Sequence, residues 1–217
     1  MAGARTVFAM WIGLCGQSGA GKGYIAALFA EKGVPSIDTD RVYRDLTGPA
    51  SPKSPCMEAL CEAFGPDTAN EDGSLDRTYL RSVVFGAENR ERLHLLNRIT
   101  HRFILAETEV RADKLTHDGA EFVLIDAPLL YESGFDKRCA AVVCVTAPLE
   151  VRLSRIEKRD HIDRASALAR IRTQISEEIL RERADYEICN DGNSDPAEQV
   201  NKILTALRDR FASIQRS

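Results

Sequence analysis

Gly16-Gln17-Ser18-Gly19-Ala20-Gly21-Lys22 is the stretch that decides the fold. It follows an apolar run, Val7 to Cys15, that is too short and too glycine-bounded for a helix and reads as a buried strand. From Lys22 the pattern turns helical, with Ile25, Leu28 and Phe29 at i, i+3 and i+4, and Gly33 stops it. G-x-x-x-x-G-K between a strand and a helix is the setting a phosphate-binding loop requires. Its glycines let successive backbone N–H groups turn toward phosphate oxygens, and the helix start adds unpaired N–H groups and the positive end of its dipole. Lys22 brings a charge to the β- and γ-phosphates. The cradle expected to bind nucleotide is therefore Gly16, Gln17, Ser18, Gly19, Ala20, Gly21, Lys22 and Gly23. Gly23 stands where such loops carry a Ser or Thr hydroxyl for Mg²⁺. Either water and phosphate oxygens replace that ligand, or neighbours such as Tyr24 have packed around the glycine.

Outward from the loop, short apolar runs alternate with helical stripes. Further strands are expected at Val34–Ile37, Phe122–Ile125, Ala140–Val145 and, more weakly, Tyr186–Cys189. Helical stripes run through Leu149, Leu153 and Ile156; through Leu168, Ile171, Ile175 and Ile179; and through Val200, Ile203, Leu207 and Phe211. This alternation predicts an α/β fold, a P-loop kinase-like parallel sheet covered by helices on both faces. It lapses between about Gly48 and Gly119, a stretch that begins proline-rich and carries Leu93, Leu96 and Ile104 at helical spacing. The expected organisation is a nucleotide-binding core over 1–47 and 120–217, and a mainly helical acceptor-binding insertion over 48–119.

Ligands of parallel α/β sheets lie beyond the carboxyl ends of the strands. Asp38, Asp40 and Asp126 fall at such ends. Asp40 or Asp38 can accept the proton of an attacking hydroxyl, and Asp126 resembles a carboxylate that holds Mg²⁺ directly or through water. Each is equally a residue type that caps a helix. From Arg152 to Arg172 seven basic residues face three acids, the pattern of an arginine-rich lid over ATP, about 152–172, or of a solvated helix laced with i, i+4 pairs.

Composition bounds the rest. A chain of 217 residues with 44% apolar residues can bury a core without metal or disulfide staples. A net charge of −4 argues against bulk-electrostatic binding of nucleic acid. The six cysteines form no CxxC pair and read as reduced buried thiols. The first ten residues lack the layout of a signal peptide, and no run approaches a membrane span, so a cytoplasmic protein with no membrane partner is expected. Nothing in the pattern fixes assembly beyond monomer or weak oligomer.

Seven strings occur here in the order seen in dephospho-coenzyme A kinases, which the chain resembles from about Ile12 to Asn190: GLCGQSGAGKG, IDTDRVYR, DGSLDRTYLRSVVF, NRITHRFI, DAPLLYESG, RLSRIEKRD and ICNDG. The resemblance implies ATP with Mg²⁺ as cofactors and phosphorylation of the ribose 3′-hydroxyl of dephospho-coenzyme A. It makes Asp40 the general base, Arg155 the catalytic arginine at the lid hinge and Arg159 a second lid arginine. It also puts Asn190 near the adenine, and Arg77, Arg81 and His101 where the helical part meets the acceptor. Arg102 follows His101 where that family usually has proline. Two other readings share the loop: another small-molecule P-loop kinase, or a nucleotide-binding protein whose catalysis is weak because of Gly23.

Overall fold

The computed structural model describes residues 10–86 and 89–214; Val7, Phe8 and Ala9 of the first expected strand lie outside them. In chain order the elements are β1 (Met10–Cys15), α1 (Lys22–Glu31), β2 (Ser36–Asp38), α2 (Thr39–Thr47), α3 (Pro55–Phe64), α4 (Arg77–Val84) and α5 (Arg90–His117). Then follow β3 (Phe122–Asp126), β4 (Ala141–Thr146), α6 (Leu149–Asp160), α7 (Arg164–Arg172), α8 (Glu177–Arg183), β5 (Tyr186–Cys189) and α9 (Pro196–Ile214). The strands form one five-stranded sheet in the order β2-β3-β1-β4-β5. β1 lies at its centre, parallel to β3 in the register Ile12↔Leu124 and to β4 in the register Leu14↔Val143.

Period-two alternation sorts β1 between the faces. Ile12 and Leu14 enter a core with Ile25 and Phe29 of α1 and Val200, Leu204 and Leu207 of α9. The other face is tight: a methyl added at Gly13 would lie 2.9 Å from the Leu130 side chain. α8 packs on β4. Large apolar side chains buried on both sides of a parallel sheet are what hold such a sheet together.

Two expected elements come out differently. β2 is displaced toward Asp38 because α1 ends in a tight turn, with Val34 N–H bonded to the Phe29 carbonyl and Pro35 lacking an N–H for a ladder. The stripe Leu168–Ile179 is two helices. The Ser176 side chain caps α8 by accepting the Ile179 N–H, so Ile175 lies in the linker and Ile179 is exposed. The arginine-rich stretch is also broken, at His161, whose φ of 52° ends α6.

The chain divides into two compact units, one of residues Ile37–Lys114 and one of the remainder. The first is helical around Met57, Leu60, Phe64, Leu75, Leu80 and Val84. Its boundary carries α2, and Asp40 with it, into the helical unit. α5 runs without interruption through His101 and Arg102, and the Arg102 guanidinium lies 4.8 Å from the Phe103 ring centroid. An arginine there keeps the backbone N–H that proline would remove from the helix.

Candidate active site

The glycine loop joins β1, the central strand, to α1. Gly16 and Gly19 have φ of +148° and +81°. A Cβ at Gly16 would stand 2.5 Å from the Val145 carbonyl oxygen, and one at Gly19 2.5 Å from that of Arg152. The loop is pressed against β4 and α6, and only glycine fits there. At Gly23, by contrast, an added Cβ meets nothing within 4 Å, and Tyr24 is exposed. Open space at the Cβ and an exposed Tyr24 speak against the packing account of that glycine.

The carbonyls on the loop's outer side are held. Arg155 donates from Nη1 to the Gly19 and Ala20 carbonyls at 3.1 and 3.2 Å, and from Nη2 to the Asn190 carbonyl at 3.1 Å. The Asn190 amide, buried, donates to the same Ala20 carbonyl at 2.8 Å. With the Ala20 oxygen held outward, its peptide plane turns the Gly21 N–H the other way, the polarity an anion needs, whereas the Ala20 N–H is used within the loop on the Gln17 carbonyl at 3.1 Å. Gln17 is buried, accepts from Arg152 and donates to the Ile175 carbonyl at 2.8 Å. Arg152 in turn lies 3.7 Å from Glu177.

Lys22, in the first turn of α1, reaches Asp126 at the end of β3, with Nζ 3.9 Å from Oδ1. Among the described residues no helix starts at Asp126. Asp38 does: it accepts the Asp40 and Arg41 N–H groups at 2.8 and 3.2 Å and starts α2. Asp40 is exposed in that first turn. Arg159 grips Asp160 with two bonds of 2.8 Å, and Arg170 bonds the same carboxylate. Those arginines hold the Asp160 pKa down to about 2, Arg159 contributing most. Beneath the loop, Cys15 and Cys144 are register partners on adjacent strands. The Cys15 thiol is shifted down chiefly by its hydrogen bond to Cys144, which is pushed up in turn. All six cysteines are free.

In the helical unit, Arg77 and Arg81 line one cavity of about 350 Å³ with Tyr43, Leu80, Phe85 and Leu96. The Arg77 guanidinium sits 5.6 Å from the Tyr43 ring centroid. His101, partly buried on α5, is not among that cavity's lining residues. The sequence reading grouped Arg77, Arg81 and His101; the structure puts the two arginines on one cavity, whereas Lys22, Asp126, Arg155 and Asn190 gather around the loop of the other unit. It singled out neither Arg152 nor Gln174. Arg152 belongs to the buried stripe of α6, three residues before Arg155, which is a signal that periodicity could have given; Gln174 carries none.

A parallel sheet in this strand order, with a braced glycine loop at the end of its central strand and a lysine opening the next helix, defines a P-loop kinase, a class that uses ATP. The profile of the dephospho-CoA kinase family matches residues 10–196. A dephospho-CoA kinase of Carboxydothermus hydrogenoformans is 36% identical over 91% of this chain and 92% of its own length. One from Moorella thermoacetica is 39% identical over 84% of each chain. The crystal structure of a Thermus thermophilus protein superposes with a TM-score of 0.73 at 32% identity, over 91% of this chain and 97% of that one. A shikimate kinase of Acinetobacter baumannii shares the fold at a TM-score of 0.51 and 20% identity, over 94% of this chain and 96% of that one. The chain belongs to the dephospho-CoA kinase family.

Proposed function

We propose that this protein transfers the γ-phosphoryl group of ATP to the ribose 3′-hydroxyl of dephospho-coenzyme A, releasing coenzyme A and ADP. The observation that carries the reading is the loop itself. Gly16 to Gly23, with the Ala20 carbonyl tied back by Arg155 and Asn190, turns the Gly21 amide toward an anion at the start of α1, in a chain that matches the family over residues 10–196. Lys22 neutralises charge growing on the phosphoryl oxygens, the largest contribution a site of this kind makes. Asp40 accepts the proton of the attacking hydroxyl and orients its oxygen. Arg77, Arg81 and His101 bind the acceptor, the two arginines beside an apolar cavity suited to a ligand with charged and greasy parts. Arg155 positions the loop, and Arg159 reaches the nucleotide by exchanging its bonds to Asp160 for phosphate oxygens.

The donor set fits Mg²⁺. Asp126 offers a hard carboxylate beside Lys22, and the space at Gly23 leaves room for water. Bound there, the ion would supply Lewis-acid charge to the phosphates. No helix of the described residues is long and apolar enough to cross a membrane. The reading carries with it a cytoplasmic enzyme with reduced thiols, acting as a monomer or weak oligomer.

A coupled ADP-release assay tests it. ADP should appear only when dephospho-coenzyme A is present, and the product should gain one phosphate by mass. Lys22→Ala should lower turnover about 10²-fold or more. ADP release indifferent to the acceptor, or faster with a nucleoside or gluconate, would reject the substrate.

A further inference from the structure

The linker between α7 and α8 is stitched to the glycine loop by two bonds, both donated by the loop. Gln17 donates to the Ile175 carbonyl at 2.8 Å, and the Ser18 N–H donates to Gln174 Oε1 at 2.9 Å. Ser18 N–H can only donate, so the orientation of the Gln174 carboxamide is fixed: its oxygen faces the loop, and its nitrogen is the free end. Nε2 has no hydrogen-bond partner among the described residues. The side chain lines a cavity of about 210 Å³ together with Cys15, Gly16, Gln17, Tyr131 and Glu132. Two N–H donors are therefore held at the edge of an anion cradle, next to space for a ligand. They are anchored by their own carboxamide on the third residue of the loop.

We propose that Gln174 is a catalytic residue of this reaction, donating from Nε2 to an oxygen of the transferring γ-phosphoryl group while its Oε1 stays on the Ser18 amide. The inference rests on the phosphoryl transfer proposed above. A neutral donor suits the place. It stabilises charge that develops during transfer, and it leaves no uncompensated cation when the nucleotide departs. The anchor does not depend on Gln174 alone, because Gln17 is itself buried and held by Arg152. The linker thus keeps its place when the Gln174 side chain is altered.

Gln174→Glu separates the donors from the anchor. It keeps length and an oxygen for Ser18 N–H, but sets an anionic acceptor where the two N–H groups were. With ATP and dephospho-coenzyme A its kcat should fall about 10²-fold, the usual cost of losing one preorganised donor. ADP affinity should stay within about threefold, and the Tm within about 2 °C, of the parent. ATP binding should weaken relative to ADP binding, because only ATP carries the γ-phosphoryl group. A Gln174→Glu enzyme with parental kcat would overturn the proposal. So would equal losses of ATP and ADP affinity with a lower Tm, the signature of a purely structural link. Gln174→Ala gives a second reading: tighter ATP binding with kcat unchanged would mean that the carboxamide merely blocks the Ser18 amide. If the parent itself does not phosphorylate dephospho-coenzyme A, the substrate reading fails on its own, and the ATP-to-ADP affinity ratio of parent and Gln174→Glu still decides the role of Gln174.

Discussion

Gly23 shows how one residue separates two physical accounts. Its sequence position marks a hydroxyl that is missing, and only the space around it says why that is tolerated. Outside its own helix backbone and chain neighbours nothing lies within 4 Å of an added Cβ, so the first atom of a side chain there has open space. Gly23→Ser should then restore a metal-directed oxygen in the first turn of α1, where serine is also the better helix former. The Mg²⁺ concentration for half-maximal activity should drop, by up to about tenfold, equivalent to ~1.4 kcal/mol. A Mg²⁺ titration at saturating ATP, read by turnover and by ATP binding, checks this. A serine variant that needs as much metal as the parent would leave the absent hydroxyl without consequence. Asp38 is the complementary lesson. Its carboxylate at a strand end was open to either chemistry or capping, and the bonds from Asp40 N and Arg41 N show it capping α2.

At the scale of elements, the decisive fact is that α6 serves the glycine loop from behind. Arg152 and Arg155 lie on the side of α6 that meets it, and one planar guanidinium, Arg155, reaches three carbonyls at once. Lysine at this position keeps the charge but loses the fork, and a single ammonium cannot span those oxygens in the same geometry. Arg155→Lys should therefore lower turnover about 10²-fold and weaken ADP binding too, since the loop's amides are no longer held in line. Isothermal titration with ADP beside the turnover assay distinguishes this from a direct contact with the γ-phosphoryl group, which would spare ADP. Near-parental ADP affinity in the lysine variant would refute the bracing role. Helical periodicity had revealed α6 as an element, and missed the break before α8. Ser176 reads as an ordinary polar residue until its side chain is seen accepting the Ile179 N–H.

At the scale of the whole molecule the chain divides into two compact units, with Lys22 in one and Asp40 in the other. Under the proposed mechanism, nucleotide affinity belongs to the first and proton acceptance to the second. Asp40→Asn should cut turnover by roughly 10²–10⁴-fold while ATP binding stays within a few-fold of the parent. Asp38→Asn should stay close to parental turnover, because asparagine caps a helix as well as aspartate does. Greater damage from Asp38→Asn than from Asp40→Asn, in parallel kinetic and binding measurements, would move the base to Asp38. The sequence by itself determined the strand, glycine loop and lysine of the nucleotide half. Those signals are local: a short apolar run, residues permissive of positive φ, and a helix start within a few positions. It also determined that the stretch after Gly48 would be helical, from periodicity alone. Only the tertiary structure decided which groups meet the loop. Arg155 is 136 residues from Gly19, and Gln174 is 156 from Ser18. A hydrogen bond over such a separation is set by how β4, α6 and the α7–α8 linker pack, and side-chain identity along the chain carries no record of that distance.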